Sequence, residues 1–135
     1  MKQYVVDTHA LIWQLCSPSH LGQAAQIAFT QADDGEAKIH IPVVVVAEMA
    51  MIAQKQRVPG FDNEAFDTAI QALQETPAYI FESLSLDSVL ASRALSVIPD
   101  IFDRLVVTDA MILQAALITK DVVIQNSGVV PTIWD

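Results

Sequence analysis

Basic side chains are scarce in this sequence. Its 135 residues include seven Lys and Arg against sixteen Asp and Glu, which gives a formal net charge of −9 at pH 7. Phosphate neutralisation by Lys and Arg normally dominates affinity for nucleic acid, so this balance argues against a surface that attracts nucleic acid unaided. A bound metal ion or a basic partner would weaken that conclusion, because either one supplies positive charge.

Cysteine and long apolar runs are also lacking. Cys16 is the single cysteine, so the chain has no internal disulfide and no thiolate metal motif, which fits a reducing cytosol. No apolar run approaches the ~20 residues of a membrane span. Asp7 comes before any signal-like apolar segment could form at the N-terminus. We therefore expect a soluble cytoplasmic protein with no membrane segment.

Short β patterns alternate with longer helical patterns along the chain. Apolar spacing and turn residues predict strands at 3–6, 38–41, 79–84, 117–119 and 131–134. The same signals predict helices at 21–32, 42–56, 61–73, 85–95 and 104–114, with Ser85 as an N-cap. This alternation favours an α/β fold with a mainly parallel sheet covered on both faces. Because no linker or low-complexity tract interrupts the chain, we expect a single domain over residues 1–135.

Four single acids stand in apolar stretches far apart in the sequence: Asp7, Glu48, Asp103 and Asp121. Asp7 ends the first strand and leads into a helix, whereas Glu48 lies in a helix that is apolar on every face and is expected to be buried. Ionised carboxylates are rarely buried without a partner. A divalent cation held by several carboxylates is the simplest partner, because hard ions such as Mg²⁺ take oxygen ligands.

These acids fall at one edge of the predicted sheet. Asp7 and Asp121 follow strands, while Glu48 and Asp103 line or begin helices that pack over the same edge, so we expect one cleft to gather all four. Clusters of this kind serve metal-assisted phosphoryl transfer, in which Mg²⁺ or Mn²⁺ activates water and stabilises the leaving oxygen. The sequence therefore predicts a phosphodiesterase-type metal site.

At these residues the sequence resembles the PIN-domain family of ribonucleases, and within it the VapC-type toxins of bacterial toxin–antitoxin pairs. The resemblance rests on segments in the family's order that span nearly the whole chain: 6–13 (VDTHALIW), 47–48 (AE), 102–106 (FDRLV) and 118–121 (ITKD). It implies a three-layer α/β/α fold with a five-stranded parallel sheet of order 3-2-1-4-5. It also implies Mg²⁺- or Mn²⁺-dependent endonucleolytic cleavage of single-stranded RNA, a homodimer and a protein antitoxin.

The resemblance also implies roles for individual residues. It makes the four acids the metal-binding and catalytic residues, with Thr8 and Thr119 as hydroxyls that support them. Arg104 adjoins Asp103 and is expected to orient the acids. Charge alone nominates the candidates for contact with RNA, which are Lys55, Arg57, Arg93 and Lys120.

Each acid also has a structural interpretation. Asp7 would cap the helix that follows it, and Asp103 would favour a helix N-terminus through the helix dipole. Asp121 would be a turn residue after a strand, and Glu48 would form a buried pair with Arg104. The coincidence of four such acids favours the metal site.

Asp109 is a further acid, in a position where the family commonly has a small or neutral polar residue. It could be a fifth acid near the cleft. It follows Asp103 by six residues, however, which is about 600° of helical rotation. We therefore expect Asp109 to point to a different face of the helix.

Three other functions are compatible with acids at strand ends. A receiver-like regulatory domain would need paired acids after its first strand and an Asp ending its third, but the chain has only Asp7 and Glu82 there. A haloacid-dehalogenase-like phosphatase would need a second Asp where His9 stands. A degenerate PIN scaffold that only binds partners stays open.

Overall fold

The computed structural model describes all of residues 1–135 as five strands and seven helices. The strands are β1 Lys2–Val6, β2 Ala37–Pro42, β3 Tyr79–Glu82, β4 Ala116–Ile118 and β5 Thr132–Ile133. The helices are α1 Thr8–Cys16, α2 Gln23–Asp33, α3 Val43–Gln54, α4 Asn63–Glu75, α5 Leu86–Ser92, α6 Ile101–Leu113 and α7 Val122–Ser127. None of these helices combines the length and the apolar character needed to cross a membrane.

The five strands form one parallel sheet in the order β3-β2-β1-β4-β5. Successive residues of a strand point to opposite faces of the sheet. Val5 and Val6 in β1 are both fully buried, as are Ile39 and Ile41 of β2, and His40 between them is buried too. Both faces are therefore covered, which confirms the predicted three-layer α/β/α fold and its strand order.

Helix α6 begins earlier than the sequence predicted. Its first residue is Ile101, and Asp100 caps it by accepting hydrogen bonds from the backbone N–H groups of Phe102 at 2.8 Å and Asp103 at 3.1 Å. The predicted start at Arg104 was wrong, because the helix already begins directly after the capping residue Asp100. Asp103 consequently lies in the first turn of α6.

Two other differences bear on the site. The short helix α7 was not predicted, and it begins directly after Asp121. Helix α3 is not buried on every side, since Val43 is 44% exposed and Met51 is 40% exposed. Its apolar outer face lies on the surface because no further element of the chain covers it.

Candidate metal-binding site

The carboxyl ends of β1 and β4 open into a cleft of about 560 Å³. Five carboxylates line it, and we call this region the acidic cleft: Asp7, Glu48, Asp100, Asp103 and Asp121. His9, Trp13 and Lys120 also contribute to its walls. The structure thus brings together all four acids that the sequence singled out, and adds a fifth.

Asp7 is fixed at the junction of two strands and a helix. Its backbone N–H donates to the carbonyl of Ile118 in β4 at 3.2 Å. Its Oδ1 accepts from the backbone N–H of Ala10 at 3.0 Å and so caps α1. The capping role and the position in the cleft are compatible, because that cap occupies only one of the two carboxylate oxygens.

Asp121 is held in the same way on the other strand. Its Oδ1 accepts from the N–H groups of Val123 at 2.8 Å and Ile124 at 3.3 Å, which caps α7. Its own N–H donates to the Thr119 hydroxyl at 3.0 Å. Parallel strands thus deliver Asp7 and Asp121 to the same edge with their side chains fixed by helix N-termini.

Glu48 reaches the cleft from α3, which packs against α1 and α6. The Thr8 hydroxyl donates to its Oε1 at 2.9 Å. Arg104 forms no ion pair with it, because the Arg104 guanidinium donates to the carbonyl of Ile98 instead. The alternative interpretation of Glu48 as half of a buried Glu48–Arg104 pair was therefore wrong, and Arg104 does not line the cleft.

The acids raise one another's proton affinity. Burial, and then the neighbouring carboxylates led by Asp100, raise the pKa of Asp103 to about 7. Burial raises the pKa of Asp7 to about 6, although hydrogen bonds from Thr119 and Ala10 oppose the shift. The pKa of Glu48 is raised, mainly by burial. Crowded carboxylates of this kind favour either a proton or a cation among them.

The donor set fits a hard divalent cation. The convergent groups are carboxylate oxygens, and no Lys or Arg forms an ion pair with any of them. No three of the acids and histidines approach closely enough to surround one ion directly. Mg²⁺ is suited to such spacing, because it keeps several waters and takes only one or two carboxylates directly.

Only one of the nominated basic residues lies at the cleft. Lys120 contributes to its wall, whereas Lys55, Arg57 and Arg93 are exposed elsewhere. The Arg93 Nε donates to the carbonyl of Leu90 in α5, the helix that ends just before it. The structure therefore offers one lysine, not a basic surface, next to the acids.

Asp100, His9 and Trp13 line the cleft but were not assigned to it from the sequence. Asp100 precedes Asp103 by three residues, and an acid in that position before an apolar helix is a recognisable N-cap signal. Trp13 stacks on His20 with ring centroids 4.6 Å apart, and its ring lies 6.2 Å from that of His9. No sequence pattern distinguished these rings from core or rim side chains.

Comparison with known proteins gives a family. The family profile described as PIN domain matches residues 4–127 of the chain. No curated protein matches the sequence significantly.

Solved structures share the fold at low sequence identity. VapBC2 from Rickettsia felis, bound to a DNA fragment from its promoter, has a TM-score of 0.71 at 14% identity, covering 98% of this chain and 99% of that one. FitAcB from Neisseria gonorrhoeae has a TM-score of 0.63 at 10% identity, covering 96% and 95%. A toxin–antitoxin complex from Klebsiella pneumoniae has a TM-score of 0.58 at 18% identity, covering 87% and 86%.

Proposed function

This chain belongs to the PIN-domain family, and from that premise we propose that it is a cytoplasmic metal-dependent endoribonuclease that cleaves single-stranded RNA. Proteins of this family are generally nucleases. The observation that carries the proposal is the acidic cleft, where five carboxylates share one cavity and none forms an ion pair with a Lys or Arg. Such an arrangement costs free energy unless it serves binding or chemistry, because like charges held close together repel one another.

We assign Asp7, Glu48, Asp103 and Asp121 as the residues that hold Mg²⁺ or Mn²⁺ and carry the catalysis. When bound there, the cation supplies Lewis-acid activation of water and charge neutralisation for phosphodiester hydrolysis. Asp100 caps α6 and adds negative charge at the cleft. The pKa of Asp103 is about 7, so this carboxyl is partly protonated near neutral pH and cation binding displaces a proton from it.

Other residues of the chain fix the acids and receive the RNA. Thr8 orients Glu48 through the 2.9 Å hydrogen bond to its Oε1. Thr119 positions Asp121, since its hydroxyl accepts from the Asp121 N–H. Lys120 stands at the cleft wall and is the side chain suited to hold a phosphate oxygen of the substrate.

Cleavage of an end-labelled single-stranded RNA by the purified protein tests the nuclease proposal. We expect cleavage in Mg²⁺ or Mn²⁺, its loss in EDTA, and its return when excess cation is added. Asp7→Asn should abolish cleavage. Asp67→Asn is the matched control, because Asp67 is an exposed carboxylate on α4 outside the cleft.

Two results would contradict the nuclease proposal. Cleavage that persists in EDTA, or that Asp7→Asn leaves at the control rate, would place the activity elsewhere, including in a contaminant. A folded protein that never cleaves RNA in either cation would instead support the degenerate PIN scaffold, which acts only by binding.

We further propose that the protein is the toxin of a toxin–antitoxin pair. Two of the solved structures of the same fold are described as a VapBC complex and a toxin–antitoxin complex. A groove of about 530 Å³ lies between α1 and α4, with an apolar floor that includes Leu15, Phe61 and Ala65. This groove suits the apolar face of a partner helix, and a basic side chain of such a partner would complement the acidic cleft.

A homodimer is the second assembly that we propose. Apolar side chains on α5, on the turn before α6 and at the start of α6 are left in solvent, including Leu86 at 72% exposed and Val97 at 58%. Light scattering of the purified protein and pull-down from its native host test both assemblies. A strictly monomeric protein without any co-purifying small protein would overturn them without affecting the nuclease proposal.

A further inference from the structure

Three aromatic rings stand together at one side of the acidic cleft. His9 and Trp13 both line the cleft and are four residues apart on α1, so they are neighbours on one face of that helix. The His20 ring stacks on the Trp13 indole, with ring centroids 4.6 Å apart and ring planes at 18°. The His9 ring lies 6.2 Å from the indole and is inclined at 46°, so it does not stack. We call these three rings the aromatic wall.

The backbone after α1 fixes the position of His20. The helix ends at Cys16, and a single 3-10 turn over Pro18–His20 follows it. The His20 N–H donates to the carbonyl of Ser17 at 2.9 Å, and the next residue, Leu21, is buried in the core. The turn thus brings His20 back onto the indole, where it covers part of the ring and supports its orientation.

The aromatic wall is not part of the core. Trp134, the other tryptophan, is buried, whereas Trp13 is partly buried and both packs against the core and lines the cleft. The rings of His9 and His20 are exposed. Aromatic surface is therefore open to a molecule that occupies the cleft beside the carboxylates.

The charges of the cleft limit how it can hold RNA. Contacts between phosphates and basic side chains normally dominate affinity for nucleic acid, but Lys120 is the only Lys or Arg of the cleft lining, in a chain of net charge −9. Stacking of a base on an aromatic ring needs no positive charge, and it changes affinity by roughly 5- to 150-fold per base. The aromatic wall offers this contact next to the proposed metal site.

We propose that Trp13, backed by His20, is the platform on which one unpaired base of the RNA stacks while the neighbouring phosphate lies at the carboxylates. This inference rests on the proposed function, because it names how the same cleft recognises its substrate. Every base has a π face, so the platform accepts different bases. A base within a duplex is already stacked on its neighbours and cannot lie on the indole. Trp13 is therefore a specificity-determining residue for single strands, and His20 is a positioning residue.

Two RNA ligands of equal charge test the platform by tryptophan fluorescence. One is a short single-stranded oligoadenylate, and the other is the same sugar-phosphate chain without bases. Both are titrated in Ca²⁺, an oxygen-seeking cation that neutralises the cleft carboxylates, and a gel checks that the RNA stays intact. In the wild-type protein we expect the oligoadenylate to quench fluorescence and to bind about tenfold more tightly than the abasic chain. The oligoadenylate paired in a duplex should not quench.

Substitutions assign this base preference to the platform. Trp13→Leu should remove both the quenching and the tenfold preference for bases, Trp13→Phe should keep part of the preference, and His20→Ala should reduce it. Phe66→Leu is the matched control, because Phe66 is also a partly buried ring packed on the core, but it lies on α4 outside the cleft. This control should behave as the wild type does.

Cleavage kinetics give a second measurement. The base takes no part in phosphodiester hydrolysis, so stacking stabilises the bound substrate and the transition state alike. Trp13→Leu should therefore raise KM for single-stranded RNA about tenfold and change kcat much less. A fall in kcat with KM unchanged would contradict a stacking role.

The outcomes separate this inference from the nuclease proposal. Equal wild-type affinities for the two ligands, or a base preference that survives Trp13→Leu, would overturn the platform and leave the aromatic wall to another occupant, such as a side chain of a protein partner. Base-dependent quenching in a protein that never cleaves RNA would support the platform and contradict the nuclease proposal. If Trp13→Leu fails to fold, Trp13→Phe decides, because its ring preserves packing and should still weaken the base preference.

Discussion

The acidic cleft and the His40–Glu82 pair bury carboxylates at the same edge of one sheet, but they do so in opposite ways. In the cleft, Asp7 and Asp121 accept backbone N–H groups at helix N-termini, and no cationic side chain is paired with them. At the end of β3, the Glu82 carboxylate lies 2.6 Å from Nδ1 of the buried His40 ring, which is its side-chain hydrogen-bond partner. Glu82 therefore has a side-chain partner within the chain, whereas the cleft carboxylates have no cationic partner.

This difference separates a structural acid from a functional one. A paired carboxylate is already satisfied, and removing its partner destabilises the fold because it leaves a desolvated group without a hydrogen bond. The cleft carboxylates are held by neutral donors that orient them without cancelling their charge, and the pKa of Asp103 consequently rises to about 7. The charge that the chain leaves unbalanced is available to a cation.

The largest effect that we expect is the loss of RNA cleavage in Asp103→Asn. The substitution keeps the shape of the side chain but removes a proposed metal ligand. Mutation of groups that merely support metal ligands already costs about 10–100-fold, so we expect a loss of at least about 100-fold. Initial rates on labelled RNA in Mn²⁺, with Asp67→Asn as control, measure it, and a rate within a few-fold of the control would remove Asp103 from the site.

Disruption of the paired acid should act on stability. His40→Leu removes both ring nitrogens and leaves Glu82 and Gln3 without their partner. Hydrogen bonds to charged groups contribute about 1.5–3 kcal/mol, and Glu82 is partly exposed, so we expect a loss of about 1–2 kcal/mol in the free energy of unfolding. Urea denaturation measures it. No loss of stability would show that the pair is not structural.

Divalent cations should stabilise the wild-type protein. A ligand that binds only the folded state adds about 1.4 kcal/mol at ten times its Kd. Thermal melts over a titration of Mg²⁺ or Mn²⁺, with EDTA as the reference, measure this gain. Asp7→Asn should reduce it markedly, whereas an equal gain in Asp7→Asn would place the stabilising ion outside the cleft.

The pH dependence of the metal-free protein gives a further test of the unpaired acids. Asp103 has a folded pKa near 7 against 3.8 for an ordinary Asp, so the folded state binds more protons than the unfolded state between these values. Stability from this group therefore rises as the pH falls through 7 and reaches its full value below 3.8. Denaturation in EDTA from pH 8 to about pH 5 should show this rise, and a smaller one in Asp103→Asn; equal slopes would contradict the shift.

The sequence predicted most of the sheet and the residues at its edge. Alternating β and helical patterns located all five strands to within a few residues and predicted a sheet covered on both faces. Asp7 and Asp121 could be placed in one cleft because the carboxyl ends of parallel strands share an edge. The sequence pattern at these positions is easy to recognise because the strand residues beside the acids are apolar and buried.

Features that depend on packing were harder to predict. The burial of α3 was overestimated because a helix that is apolar all round does not reveal which face lacks a cover, and Val43 proved exposed. Asp100 was not assigned to the cleft because the sequence predicted a helix that starts only at Arg104. In the structure α6 begins at Ile101, directly after Asp100. The pairing of Glu82 with His40 depends on a contact between two strands, which one sequence does not specify.

The melting temperature of Asp103→Asn in EDTA, measured beside its cleavage of single-stranded RNA in Mn²⁺, tests the central claim most directly. Loss of the charge removes a favourable contact with the α6 N-terminus, which is worth about 0.3–1 kcal/mol, but relieves burial and repulsion that together raise the pKa of Asp103 to about 7. We therefore expect the variant to melt at or above the wild-type temperature in EDTA and to have no cleavage activity. A variant that melts markedly lower and still cleaves RNA at the wild-type rate would contradict the metal site.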